Sequence, residues 1–141
     1  MKISIIKKDK SVNLPLPLIK KICNTVAQGE DQKFDELNLF FVTPQEICEL
    51  HDEFFDDPSP TDCITFPMDG PEESYRVLGD IFICPTVAVE YAKKRRLDPV
   101  QECSLYVIHG MLHLFGYDDI NEIDRKQMKK AEKRYMEILF P

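Results

Sequence analysis

From Asp98 to Phe115 the chain reads DPVQECSLYVIHGMLHLF, apolar nearly all the way round a helix. A helix with one apolar stripe can lie on a surface, but one that is apolar on every side has to be enclosed. Its limits are written in the same stretch. Asp98-Pro99-Val100-Gln101 is a capping signature with proline at the first helical position, and Gly116 is placed to take a left-handed C-cap. Whatever else the chain forms must wall in this helix.

The remaining residues supply those walls as short alternating elements. Lys2 to Lys7 (KISIIK), Leu37 to Val42 (LNLFFV), Cys63 to Phe66 (CITF) and Val77 to Cys84 (VLGDIFIC) are β-branched and apolar, and are predicted as strands. After Pro15 and Pro17, Ile19, Ile22, Cys23 and Val26 fall at helical spacing, with Gly29 as the stop. Thr43-Pro44-Gln45-Glu46 is a second capping box, opening a helix that DDPSP breaks near Phe55. Pro85 opens another through VAVEYAKKRR. The last, from about Asn121 to Leu139, is amphipathic with Met128, Ala131, Tyr135 and Ile138 on one face. The order β-α-β-α-β-β-α-α-α predicts an α+β fold, a single domain over residues 1–141 with a mixed four-stranded sheet and about five covering helices.

Composition sets the compartment and excludes some partners. No apolar run approaches the ~20 residues that span a bilayer, and MKISIIKK is too short an apolar start for a signal peptide, so the expectation is a soluble cytoplasmic protein without a membrane partner. Cys23, Cys48, Cys63, Cys84 and Cys103 are odd in number and form no CxxC pair, which fits small apolar residues in a reducing environment rather than disulfides or a thiolate zinc site. A net charge of −7 disfavours broad nucleic-acid binding but allows a local basic patch.

Chemistry concentrates in residues 109–119, HGMLHLFGYDD. His109 and His113 stand one helical turn apart, so both imidazoles can reach one metal ion, although two satisfied core histidines have the same spacing. Gly116 lets the chain turn sharply, and Asp118 or Asp119 then comes back toward the same point. The spacing 109, 113, 119 follows the metzincin pattern H-x3-H-x2-G-x2-H with a carboxylate as last ligand, which a zinc or similar divalent ion accepts. The glutamate that serves zinc peptidases as base is replaced by Gly110, so peptide hydrolysis is not expected.

These residues resemble a known family. HGMLHLFGYDD is similar to the signature H-G-x-L-H-L-x-G-Y-D-H of the YbeY family of bacterial rRNA maturation factors, PTDCITFP to its PTDVLSFP, and LGDIFIC to its LGDIxIC. The resemblance runs from about Glu36 to Ile138. It implies a zincin-like fold, a site for one divalent metal ion (zinc first, nickel or manganese as alternatives), and a single-strand-specific, metal-dependent endoribonuclease. It also implies action in 16S rRNA 3′-end maturation and ribosome quality control, with rRNA and the small ribosomal subunit as partners. In this chain the ligands it implies are His109, His113 and Asp119, the last in place of the family's third histidine. The family block ELNxxYRxxxxPTD corresponds to Glu49 onward, with His51 at the asparagine and Phe55 at the arginine. A phenyl ring cannot donate to a phosphate, so reduced nuclease activity is expected, with a non-catalytic or weakly catalytic ribosome assembly factor that keeps the fold and metal site as the alternative.

Other candidates carry two readings each. His51 can act on a phosphate or a metal-bound water, or be a half-exposed helix residue without a role. Asp62 reads as a turn or cap residue, and neither it nor Asp80 is assigned to catalysis. Lys93, Lys94, Arg95 and Arg96 are the most basic run, either a solvated helix end or, with Arg76, the contacts to RNA phosphates.

Overall fold

The computed structural model describes residues 1–141. Its elements are β1 (Lys2–Lys7), α1 (Leu16–Gly29), β2 (Glu36–Phe41), α2 (Pro44–Phe55), β3 (Cys63–Pro67), β4 (Val77–Ile83), α3 (Pro85–Arg95), α4 (Pro99–Leu114) and α5 (Glu122–Leu139). The four strands form one mixed sheet in the order β1-β2-β4-β3. β1, β2 and β4 run parallel, and β3 pairs antiparallel with β4. The α+β fold with a mixed four-stranded sheet and five helices is therefore as predicted. No helix is long and apolar enough to cross a membrane.

The alternation of the strands sorts the core into two layers. Leu37, Leu39 and Phe41 of β2 and Ile81 and Ile83 of β4 face a large core shared with α1, α4 and α5. Phe40 and Val42, with Ile64, Phe82 and Cys84, face the other side, where Ile47 of α2 covers them. Helix α4 is enclosed as its sequence demands, touching α1, α3, α5, β3 and β4. From Glu102 to Leu114 only Leu105, His109 and His113 are not fully buried, and with Gln101 before them they make one line at four-residue spacing. Both histidines therefore lie on the single face of the central helix that opens to solvent.

The helix ends follow their sequence signals in part. The Asp98 carboxylate accepts from the Val100 N–H at 2.8 Å, and the Thr43 hydroxyl accepts from the Glu46 N–H at 3.2 Å. The Glu46 carboxylate does not complete the second capping box. It takes the Lys8 ammonium at 2.8 Å instead. On α5 the inward face is Met128, Ala131, Tyr135 and Leu139; Ile138, expected among them, is 56% exposed, because a step of four rather than three from Tyr135 keeps the stripe on one side. All five cysteines are free, and burial pushes the Cys23 and Cys103 thiols up to about 12, which keeps them neutral.

Candidate metal centre

The turn after α4 builds the site. Gly116 adopts φ +109°, the Gly116 N–H bonds to the His113 carbonyl at 3.0 Å, and the Tyr117 N–H reaches back to the Leu112 carbonyl at 2.9 Å. This paired closure is a Schellman turn, and its left-handed residue favours glycine. It reverses the chain and lays Asp119 against the helix it has just left. Asp119 Oδ2 then stands 3.5 Å from His109 Nε2 and 3.3 Å from His113 Nε2, while the two nitrogens are 3.0 Å apart. Four ligands at 2.0–2.1 Å around a tetrahedral zinc are about 3.3–3.4 Å from one another, so these spacings match the edges of such a site.

The donor set points the same way. His109 Nδ1 lies 2.8 Å from the Glu132 carboxylate, and His113 Nδ1 lies 3.1 Å from the Tyr117 carbonyl. Both partners accept, so each Nδ1 carries a proton and each ring turns its Nε2, the atom left to ligate, toward the other. Two nitrogen lone pairs and a carboxylate oxygen converging within 3.5 Å repel one another unless a cation or a proton lies between them. His109, His113 and Asp119 are the group suited to hold a metal ion. Burial opposes charge on His109, but the hydrogen bond and charge of Glu132, with Asp62 and Asp119, outweigh it and raise its pKa. A proton therefore competes for this position in acid. Asp118 accepts the Asp119 N–H at 2.8 Å, which steadies the loop and leaves Asp119 as the converging carboxylate.

Around this centre lies a cleft of about 430 Å3, lined among others by His51, Phe55, Asp62, Cys63 and Ile120, and by no lysine or arginine. His51 Nδ1 is held by the Ser59 carbonyl at 2.8 Å, which puts the proton on Nδ1 and leaves Nε2 able to accept one. Asp80 is not in the cleft; it accepts from Asn38 on the neighbouring strand at 2.9 Å. Gly110, one residue beyond His109, faces the sheet, where a Cβ would come within 2.7 Å of Ile81. The zinc-peptidase glutamate has no room at that position.

Two expectations about RNA contacts part company. Arg76 is not available to a phosphate: it is buried, its guanidinium donates to Gln32, the Lys33 carbonyl and the Asp69 carbonyl, and it lies over the Phe115 ring. A lone arginine before a strand gave no hint of this, since its partners lie 7 to 44 residues away. Lys93, Lys94, Arg95 and Arg96 end α3 exposed, with the Arg95 guanidinium 3.8 Å over Tyr91, and none of them lines the cleft. Glu132, in turn, escaped the sequence reading. Its signal is an acid at position 132 inside the inward stripe 128, 131, 135, 139 of α5, where a glutamate needs a buried partner.

Comparison with known proteins places this geometry. The family model described as Endoribonuclease YbeY matches residues 4–139. Among relatives of that name, one from Protochlamydia amoebophila is 53% identical over 116 residues, 82% of this chain and 77% of the relative. One from Chlamydia caviae is 35% identical over 144 residues, covering 99% and 91%. A solution structure of a Thermotoga maritima protein superposes with a TM-score of 0.67 at 30% identity, covering 98% of this chain and 89% of that one.

Proposed function

The chain belongs to the YbeY endoribonuclease family, and on that premise we propose that it is a metal-dependent endoribonuclease cutting single-stranded RNA, acting in 16S rRNA 3′-end maturation and ribosome quality control in the cytoplasm. The observation that carries the metal dependence is the convergence of three acceptor atoms at tetrahedral spacing, with both imidazoles held in the ligating tautomer. His109, His113 and Asp119 would hold the ion, and two nitrogens with one oxygen suit zinc first, with nickel or manganese also accepted. A divalent ion there supplies Lewis acidity and a water of lowered pKa.

The protein's own residues do the rest. Glu132 and the Tyr117 carbonyl aim the two imidazoles, and the enclosed walls of α4 keep them from turning away. His51 faces the same cleft with a free Nε2, which suits it to take the proton of an attacking water. Phe55 stands where the family carries arginine, so no cation lines the cleft to neutralise the phosphate, and turnover is slower for it. The exposed run Lys93–Arg96 is the remaining candidate for phosphate contacts outside the cleft, on a substrate presented by the small ribosomal subunit. A purely structural role in ribosome assembly is the lesser reading, since the relatives carry the name of a nuclease.

Purified protein supplied with zinc, manganese or nickel is expected to cut single-stranded rRNA, and the His109→Ala/His113→Ala double variant to leave it intact. An uncut strand with all three metals overturns the proposal.

A further inference from the structure

The cleft lacks what a phosphate-gripping nuclease site ordinarily shows. Its charged side chains include Asp62, Asp118 and Asp119, and no lysine or arginine offsets them. In their place stands apolar surface. Phe55 is 56% exposed, and Ile120, on the loop directly after Asp119, is 78% exposed. Apolar surface bordered by polar groups in a cleft marks a place where another molecule can sit.

Phe55 is also held in place. It is the last residue of α2, and Asp56 turns the chain away with φ 54° and ψ 41°. The His51 ring, one turn earlier, leans against it at 5.6 Å between centroids with a 55° tilt. His51 is in turn pinned to the Ser59 carbonyl by the folded 56–60 loop, in which Asp57 accepts from both the Ser59 N–H and its hydroxyl. A fixed, exposed ring beside a metal centre is a surface for another flat ring. Every nucleobase has a π-face, and that face is free only when the strand is unpaired.

We propose that Phe55, braced by His51 and flanked by Ile120, stacks an unpaired base next to the scissile linkage, so that this protein grips RNA in the cleft by its bases rather than its phosphates. This rests on the endoribonuclease reading above and names how that site holds its substrate. Two consequences follow from the physics. Binding in the cleft releases few counterions and depends little on salt, because no cationic side chain there meets a phosphate. Any aromatic residue at position 55 serves, whereas a small one does not.

The test uses the metal-loaded protein and a short single-stranded RNA carrying one 2-aminopurine, read by stopped flow before cleavage, beside the same strand with an abasic site. The wild type quenches the 2-aminopurine and binds the abasic strand more weakly. Phe55→Ala loses the quenching and binds roughly 5- to 100-fold more weakly. Phe55→Tyr and Phe55→Trp retain both, and Phe55→Arg steepens the salt dependence by about 0.7 in log–log slope. Phe54→Ala is the control: the residue is equally exposed but packs edge-on against Phe66, outside the cleft, and its loss leaves binding unchanged. Equal binding of the abasic strand, or quenching that survives Phe55→Ala, overturns base stacking while wild-type cleavage of unmodified RNA keeps the nuclease reading intact. A wild type that neither binds nor cuts any strand overturns both.

Discussion

A carboxylate 2.8 Å from the far nitrogen of a histidine proposed to ligate a metal sets the proton position, fixes the ring plane and makes the other nitrogen more basic. Glu132 does this for His109, and only a backbone carbonyl does it for His113. Glu132→Ala is therefore expected to lower metal affinity by about 10–100-fold with the fold intact, read by competition against a chelator of known affinity. Asp119→Ala removes the carboxylate proposed as third ligand, so its metal content after gel filtration is expected to fall below that of the wild type. Asp119→His, which replaces the carboxylate with a third imidazole, keeps the metal. An alanine variant with full metal content would show that Asp119 is not a ligand.

At the scale of elements, the approach of α3 to the β1–α1 loop depends on one buried acid. Asp9 accepts from the Ser11 N–H at 2.9 Å, the Ser11 hydroxyl at 2.5 Å and the Thr86 hydroxyl at 2.5 Å. Burial opposes its charge, but these hydrogen bonds outweigh it and hold the carboxyl below its ordinary 3.8. In acid the unfolded chain then binds this proton more readily than the folded one. The stabilisation is complete above about pH 4 and is lost as pH falls through the folded value. Urea midpoints at pH 7 and pH 3 should show that loss in the wild type and a smaller one in Asp9→Asn, which starts about 1 kcal/mol less stable because its NH2 group replaces one of the two accepting oxygens and faces a hydroxyl it cannot accept from. Elements such as α4 were legible because proline, capping residues and periodicity are local. The open line along α4 was not, because Leu105 sits on it as an apolar residue like its buried neighbours, and only the arrangement of α3 and α5 leaves it uncovered. Likewise His109, His113 and Asp119 lie within one eleven-residue stretch and were legible, whereas Glu132 and the fate of Arg76 depend on contacts between distant segments.

For the molecule as a whole, an ion bound only by the folded state shifts the folding equilibrium. At a hundred times its dissociation constant it adds about 2.7 kcal/mol, on the order of 10 °C in Tm for a chain of this length. Zinc is expected to raise the melting temperature of the wild type by that order, and to leave the His109→Ala/His113→Ala variant unmoved. The net charge of −7 works against long-range attraction to a polyanion, so the RNA encounter proposed above would rely on the exposed cations at the end of α3 or on delivery by a partner. One more consequence comes from the place of α4 in the chain. All four strands, ending at Ile83, leave the ribosome before the helix that fills the centre of the core, which is complete only at Leu114. At about 5–20 residues per second, that interval lasts roughly two to six seconds. Through it, Ile81 and Ile83 wait without the helix that covers them, so the nascent chain passes through a sticky stage set by the order of its own synthesis.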